Sequence, residues 1–131
     1  MATWIDLVGY VRTRYEVMRQ TDDSLTFNLP IGGERTQIVY VHHVQTDGDS
    51  WIQIESPIAR ADDIDLRRLL ELAGATVVGG AGVVDGTAVY QHAVPLDELE
   101  ALSLKAFDKP FQLVVKVADE FEHELTGSDT F

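Results

Sequence analysis

Turn-forming residues recur along this chain at intervals that leave room for one strand between them, and they limit the possible folds more than any other feature. Asp22-Asp23-Ser24, Gly32-Gly33 and Asp47-Gly48-Asp49 punctuate the first half, and Asp85-Gly86 the second. These residue types tolerate tight or left-handed backbone, and Asp-Gly between two β-like runs is a strong hairpin signal. Between the turns the side chains alternate. Tyr15, Val17 and Arg19 alternate with Glu16, Met18 and Gln20, and Leu25, Phe27, Leu29 and Ile31 point one way on the next strand. Pro30 marks the end of that strand as an edge or an exit, because it has no N–H for a ladder. From Thr36 to Val44, Ile38, Tyr40 and His42 share one face, while Val39, Val41 and His43 share the other. Ile52 and Ile54 then alternate with Trp51, Gln53 and Glu55, and Ser56-Pro57 is expected to end that strand. Four strands joined by three short turns form an antiparallel meander.

The rest of the chain reads as helix, hairpin, helix. At the N-terminus, Thr3 can cap a helix whose apolar positions Trp4, Leu7, Val8, Val11 and Tyr15 fall at helical spacing. Asp62 and Asp63 are expected to cap a second helix, carrying Leu66, Leu69, Leu70 and Ala73 and stopped by Gly74. Val77 to Val84, the Asp85-Gly86 turn and Thr87 to Val94 make the hairpin. Asp97 should cap a short helix ending near Phe107. Asp108 and Pro110 then open the last one, with Phe111, Val114, Val115, Ala118, Phe121 and Leu125 as its apolar stripe. The expected fold is α+β: one antiparallel sheet, a four-strand meander plus a hairpin, with three or four helices against one face. A single domain spans residues 1–127, and residues 128–131 read as a frayed tail.

Charge sorts the partners. Twenty-two acids stand against ten bases, a net charge of −12, which repels the phosphates of nucleic acid and anionic membrane. The densest basic pair, Arg67-Arg68, is hemmed in by Asp62, Asp63, Asp65 and Glu71. No apolar run approaches the roughly 18 residues of a membrane span, and no basic leader precedes an apolar core, so the expected compartment is the cytoplasm. The absence of cysteine excludes disulfides, thiol catalysis and cysteine zinc sites, and it fits a reducing environment.

No chemical motif survives its context. None of the five serines lies in a Gly-x-Ser-x-Gly elbow. His42 and His43 are adjacent on a strand, so they leave opposite faces and cannot grip one ion together. His123-Glu124 lacks the second histidine of a zincin helix, because position 127 is Gly. Gly79-Gly80-Ala81-Gly82 is followed by a hairpin rather than by a helix N-terminus, so it does not read as a phosphate loop. The carboxylate groups at Asp62, Asp63 and Asp65 and from Glu120 to Glu124 read as solvated helix surfaces. No catalytic residue, metal site or cofactor is expected.

What remains is apolar surplus. The strand from Ile38 to Val44 is apolar or aromatic on both faces, and Trp51 opposes Ile52 and Ile54 across its own strand. A half-buried antiparallel strand ordinarily turns one polar face to water. The second face is therefore covered by the chain's own helices or tail, or it meets a partner. Tyr40, Trp51 and Gln53 are the candidate partner-binding residues. Leu72, off the second helix's main stripe, is the candidate dimer contact.

The segment Leu66-Arg67-Arg68-Leu69-Leu70-Glu71-Leu72, the run Gly79 to Val84, the Asp85-Gly86 turn and Val89-Tyr90-Gln91-His92-Ala93-Val94-Pro95-Leu96 carry a family resemblance, as does Val117-Ala118-Asp119 in the closing helix. Together with the element order they resemble the YbjN domain family, itself similar to the class I type III secretion chaperones. The resemblance implies a secretion-chaperone-like α+β fold, homodimers, and binding of extended segments of a client protein, and it brings no catalytic residues. Two readings follow. One is a non-catalytic, chaperone-like protein-binding domain acting by strand addition and apolar pockets; an interaction subunit of a larger enzyme is not separable from it. The alternative is a small-molecule binder or enzyme with a sheet–helix pocket using His42 or His92.

Overall fold

The computed structural model describes residues 1–100 and 104–127. A helix, α1 (Trp4–Arg14), leads into four strands: β1 (Val17–Gln20), β2 (Ser24–Gly32), β3 (Arg35–Thr46) and β4 (Asp49–Arg60). Helix α2 (Leu66–Gly74), the hairpin β5 (Gly80–Val84) and β6 (Thr87–Pro95), and helix α3 (Lys105–Thr126) complete the order. All six strands form one antiparallel sheet in the order β1-β2-β3-β4-β6-β5. The meander and hairpin are thus joined edge to edge, because β6 pairs with β4 rather than standing apart.

Strand register sorts the side chains into two faces. Phe27, Val39 and Val41 are buried on one face, together with Ile52, Ile54 and Tyr90. Over this inner face lies α3, sealing the core with Phe107, Phe111, Val114 and Ala118. Phe111 meets Phe27, Phe107 and Tyr15 at ring-centroid distances of 5.2, 5.0 and 4.9 Å. Such tilted and offset ring contacts add to the area they bury. Near the other side of the same face, α1 stacks Trp4 on His43, with centroids 5.4 Å apart. Arg68 of α2 reaches Glu124 of α3, placing α2 beside it.

Four described polar residues are buried, Gln37, Ser56, Asp119 and Glu122, and the first two belong to the sheet. Gln37 and Ser56 are fully buried, and Gln37 Nε2 donates to Ser56 Oγ at 3.0 Å and to the Pro57 carbonyl at 2.9 Å. Ser56 Oγ donates in turn to the Ile38 carbonyl, tying β3 to the end of β4. Buried donors that find partners cost little, whereas one left unpaired costs ~1–3 kcal/mol.

Several boundaries differ from expectation, each for a local reason. Strand β4 does not end at Ser56-Pro57 but continues to Arg60, because the register shifts between Pro57 and Ala59 and a bulge accommodates the missing N–H. Helix α2 is capped by Asp65, whose side chain accepts from the amides of Arg67 and Arg68; Asp62 and Asp63 lie in a preceding 3-10 turn. Its buried side is Leu69 with Leu72 and Ala73 against the core, while Leu66 and Leu70 are exposed. The Gly-rich strand starts at Gly80 rather than Val77. Asp97 sits in a 3-10 turn, Leu96–Glu98, and α3 already runs from Lys105, so Pro110 falls inside it instead of opening it. The rest of the expected short helix, at 101–103, and the tail at 128–131 lie outside the described residues. Thr3 does cap α1, in a reciprocal box with Asp6.

Candidate functional site

The sheet's second face is where the sequence's apolar surplus emerges. Cross-strand pairing places Tyr40 beside Glu55, His42 beside Gln53 and Val44 beside Trp51. Continuing onto β6, Glu55 pairs with Gln91, Gln53 with Ala93 and Trp51 with Pro95. Antiparallel neighbours at these positions share a face. Tyr40, Trp51 and Gln53 therefore stand together, in adjacent rows and all half-buried. The helices that pack on the sheet do so on the inner face, and no described helix packs on this one. A face with this many half-buried aromatic and aliphatic groups is unusual for one turned to water.

The face has a polar seam. Gln53 Nε2 donates to Gln91 Oε1 at 3.1 Å, a hydrogen bond joining β4 to β6 above the sheet. On one side of it a shallow depression of about 690 Å³ is lined by Tyr40, His42, Val44, Glu55, Val84 and Gln91, among others. Tyr40 and His42 stack there with ring centroids 6.2 Å apart. A second depression of about 460 Å³ shares Gln53 and Gln91 and extends to Val77, Gly79, Gly80 and Ala93. Gly80 and Gly82 face this side from β5, opposite Gln91 and Val89; the backbone is open at Gly80, while the Gln91 side chain lies over Gly82. Val77 beside it is fully exposed.

Gly79 is required where it stands. Its φ is +91°, and a Cβ would come 2.6 Å from Cε2 of Tyr90. The Tyr90 hydroxyl donates to the Val78 carbonyl and is also hydrogen-bonded to Thr76, and the ring packs edge-on against Phe121 at 5.5 Å. The buried tyrosine thereby holds the bend that leads into the edge strand. Beyond Gln91, β6 runs on to Pro95 with no strand partner among the described residues on its β5 side.

The histidines do not meet. His42 is on the outer face of β3, away from the helices, while His92 of β6 aligns with Ile54 toward the inner side, and β4 separates their strands. His42 is thus not placed in a sheet–helix pocket. Among the described residues no group of three or more histidines and carboxylates is arranged to hold a metal, and no described helix is long and apolar enough to cross a membrane. Leu72 is half-buried against the core, while Leu70, two residues earlier, is 61% exposed.

Alternation made the sides of β3 and of β4 readable one strand at a time, and the register between them brings Tyr40, Trp51 and Gln53 to one face. Gln91 and the glycine shelf were not readable, because their side depends on β6 pairing with β4. The alternation of Tyr90 and His92 with Gln91 and Ala93 was the available signal.

A second, smaller cluster joins α1 to α3. The hydroxyls of Tyr10 and Tyr15 both donate to the Asp108 carboxylate, and Arg14 Nε lies 3.4 Å from it. Burial and the Asp108 carboxylate both raise the Tyr10 pKa above the usual tyrosine value. Burial is also the main cause of the rise at Tyr15, with Asp108 adding to it against a hydrogen bond from Gln112.

No family model matches the sequence, and neither does any curated protein. Among solved structures, the chain is similar to a chain of the HopA1–SchA chaperone–effector complex. The TM-score is 0.55 and the identity 12%, and the alignment covers 94% of this chain and 90% of that one. At that identity the likeness is one of fold: the α+β arrangement described above is shared over nearly the whole length.

Proposed function

We propose that this chain is a non-catalytic, chaperone-like protein-binding domain that holds an extended segment of a partner protein. The observation that carries this reading is the outer sheet face, with Tyr40, Val44 and Trp51 half-buried and no described helix packed upon it. The fold shared with a chain of a chaperone–effector complex supports it, as does the YbjN-like segment from Leu66 to Leu96.

The mechanism combines two recognition modes. An extended segment gains main-chain hydrogen bonds by adding to an open edge, and its alternate side chains find pockets. The unpaired end of β6 from His92 to Pro95 offers such an edge, beside the glycine shelf and Val77. Trp51 and Tyr40 supply the large amphipathic contacts that dominate protein interfaces, and the Gln53–Gln91 seam supplies polar anchoring. The domain acts as a homodimer, joined through α2. Leu70 and Leu66 form the exposed part of that contact, and Leu72 its inner margin.

Affinity capture from native lysate with wild-type protein and with Trp51→Ala tests this. A specific partner should be retained by the wild type and lost from the variant, whose unfolding midpoint stays near that of the wild type. A Trp51→Ala protein that unfolds outright, or one that retains the same partners, would remove Trp51 from the binding surface.

A further inference from the structure

The central depression of the outer face is electrically one-sided. Glu55 stands near its middle, between Tyr40 on β3 and Gln91 on β6. Asp23 and Asp85 line the same depression of about 690 Å³, and no Lys or Arg does. Among the described residues, the ion pairs Arg14–Asp108, Arg35–Asp119, Arg67–Glu71, Arg68–Glu124 and Lys116–Glu120 each include a helix residue, and none involves Asp23, Glu55 or Asp85. Two described bases share the outer face without lining the depression: Arg19 on the edge strand β1, two strands out from Tyr40 through Thr26, and Arg60 at the end of β4, beside Thr87. Five of the ten bases are thus committed to the helical layer, while the half-buried aromatic face keeps carboxylates without a partner of opposite charge.

We propose that the occupant of this face is an extended basic segment of the partner protein, in which Lys or Arg alternates with apolar or aromatic residues. This rests on the protein-binding reading above and adds the chemistry of the ligand. In an extended segment laid along the face, one row of side chains rests on Tyr40, Val44 and Trp51, and the long flexible stems of the alternating Lys or Arg let their charged heads reach round to Glu55, Asp23 and Asp85. A second copy of this chain is a poor occupant. A two-fold contact presents the same patch to itself, which would bring Glu55 and its neighbours against their own images in a pair of chains each carrying −12. Phosphate-bearing partners are repelled by the same field. Dimer contact and client contact therefore use different surfaces, α2 for the one and the outer sheet face for the other.

The test uses the whole protein and three labelled synthetic peptides: Arg alternating with Leu, and matched peptides with Ser or Glu in place of Arg. Fluorescence anisotropy should show the Arg peptide binding best, the Ser peptide less well and the Glu peptide least. Raising salt to about 1 M, where screening shortens to ~3 Å, should erase the difference between the Arg and Ser peptides. The double variant Glu55→Gln with Asp85→Asn should lower Arg-peptide affinity about fivefold without altering Ser-peptide binding. Asn is chosen at position 85 because the backbone there has φ +49°, which Asn tolerates. Asp62→Asn with Glu120→Gln removes the same charge from exposed helix surfaces outside α2 and should change nothing. Equal binding of the Arg and Ser peptides, or equal loss in the helix-surface variant, overturns the basic-segment proposal and leaves the protein-binding reading standing. If the wild type binds none of the three, both fall.

Discussion

Tyr90 and Gly79 show how closely one residue can depend on another. The ring fills the space a Cβ on Gly79 would need, and the backbone there is left-handed, so Gly79→Ala meets both a clash and a strained φ. It should cost about 1–3 kcal/mol, read as a lowered denaturant midpoint with an unchanged slope. Phe111, in ring contact with Phe27, Phe107 and Tyr15, is the comparison at the core: Phe111→Ala should cost about 3–5 kcal/mol. Trp51→Ala should cost far less stability, because its ring is only half-buried, and should instead lose about 2 kcal/mol or more of partner affinity. A variant series that ranks these three by stability in any other order would contradict the packing described here. At this scale the sequence was readable where alternation alone decides. It grouped Tyr40 with His42 on one strand and Trp51 with Gln53 on the next, but it could not show that Gly79 makes room for Tyr90, eleven positions further along the chain and brought back only by the hairpin.

Helix α1 is held to α3 through one carboxylate, and that gives it a pH dependence. The folded pKa values of Tyr10 and Tyr15 are raised, so the folded protein holds these protons more tightly than the unfolded chain does. Their contribution to stability is fully present below the ordinary tyrosine pKa near 10 and is lost as pH rises through the raised folded values. Tyrosinate absorbance should therefore titrate late for these two residues. Hydrogen exchange in α1 should speed up above that pH, well before the sheet is affected. Asp108→Asn should bring both titrations down and loosen α1 at neutral pH; unchanged exchange in α1 would show that Asp108 does not hold it. At the other end of the chain's helical layer, Asp65→Ala removes the α2 cap and should cost about 1 kcal/mol. The same change at Asp62 should be close to neutral, which separates the observed cap from the one the sequence suggested. Element identity was legible for the six strands and for α1, α2 and α3, since periodicity and turn chemistry are local, but not at Asp97, where a 3-10 turn stands in place of the start of a short helix. Ends were not legible: the bulge that carries β4 past Pro57 and the early start of α3 before Pro110 depend on partners elsewhere in the fold.

For the whole molecule, the surfaces divide by chemistry. If α2 forms the homodimer contact, light scattering should give twice the chain mass for the wild type and the single mass for Leu70→Glu. The unfolding midpoint measured at low concentration should hardly move, because Leu70 is 61% exposed. A wild type of single mass would remove the dimer from the proposal. The sequence by itself determined the α+β class, the meander, the Asp85-Gly86 hairpin and an acidic field hostile to phosphate, because turn residues, side-chain alternation and net charge are properties of neighbours along the chain. Only the tertiary structure decided that β6 docks against β4 and that the aromatic rows of β3 and β4 are left on the face the described helices do not cover. Which strands become neighbours is set by long-range pairing and by where the helices find apolar surface, and no local pattern carries that information.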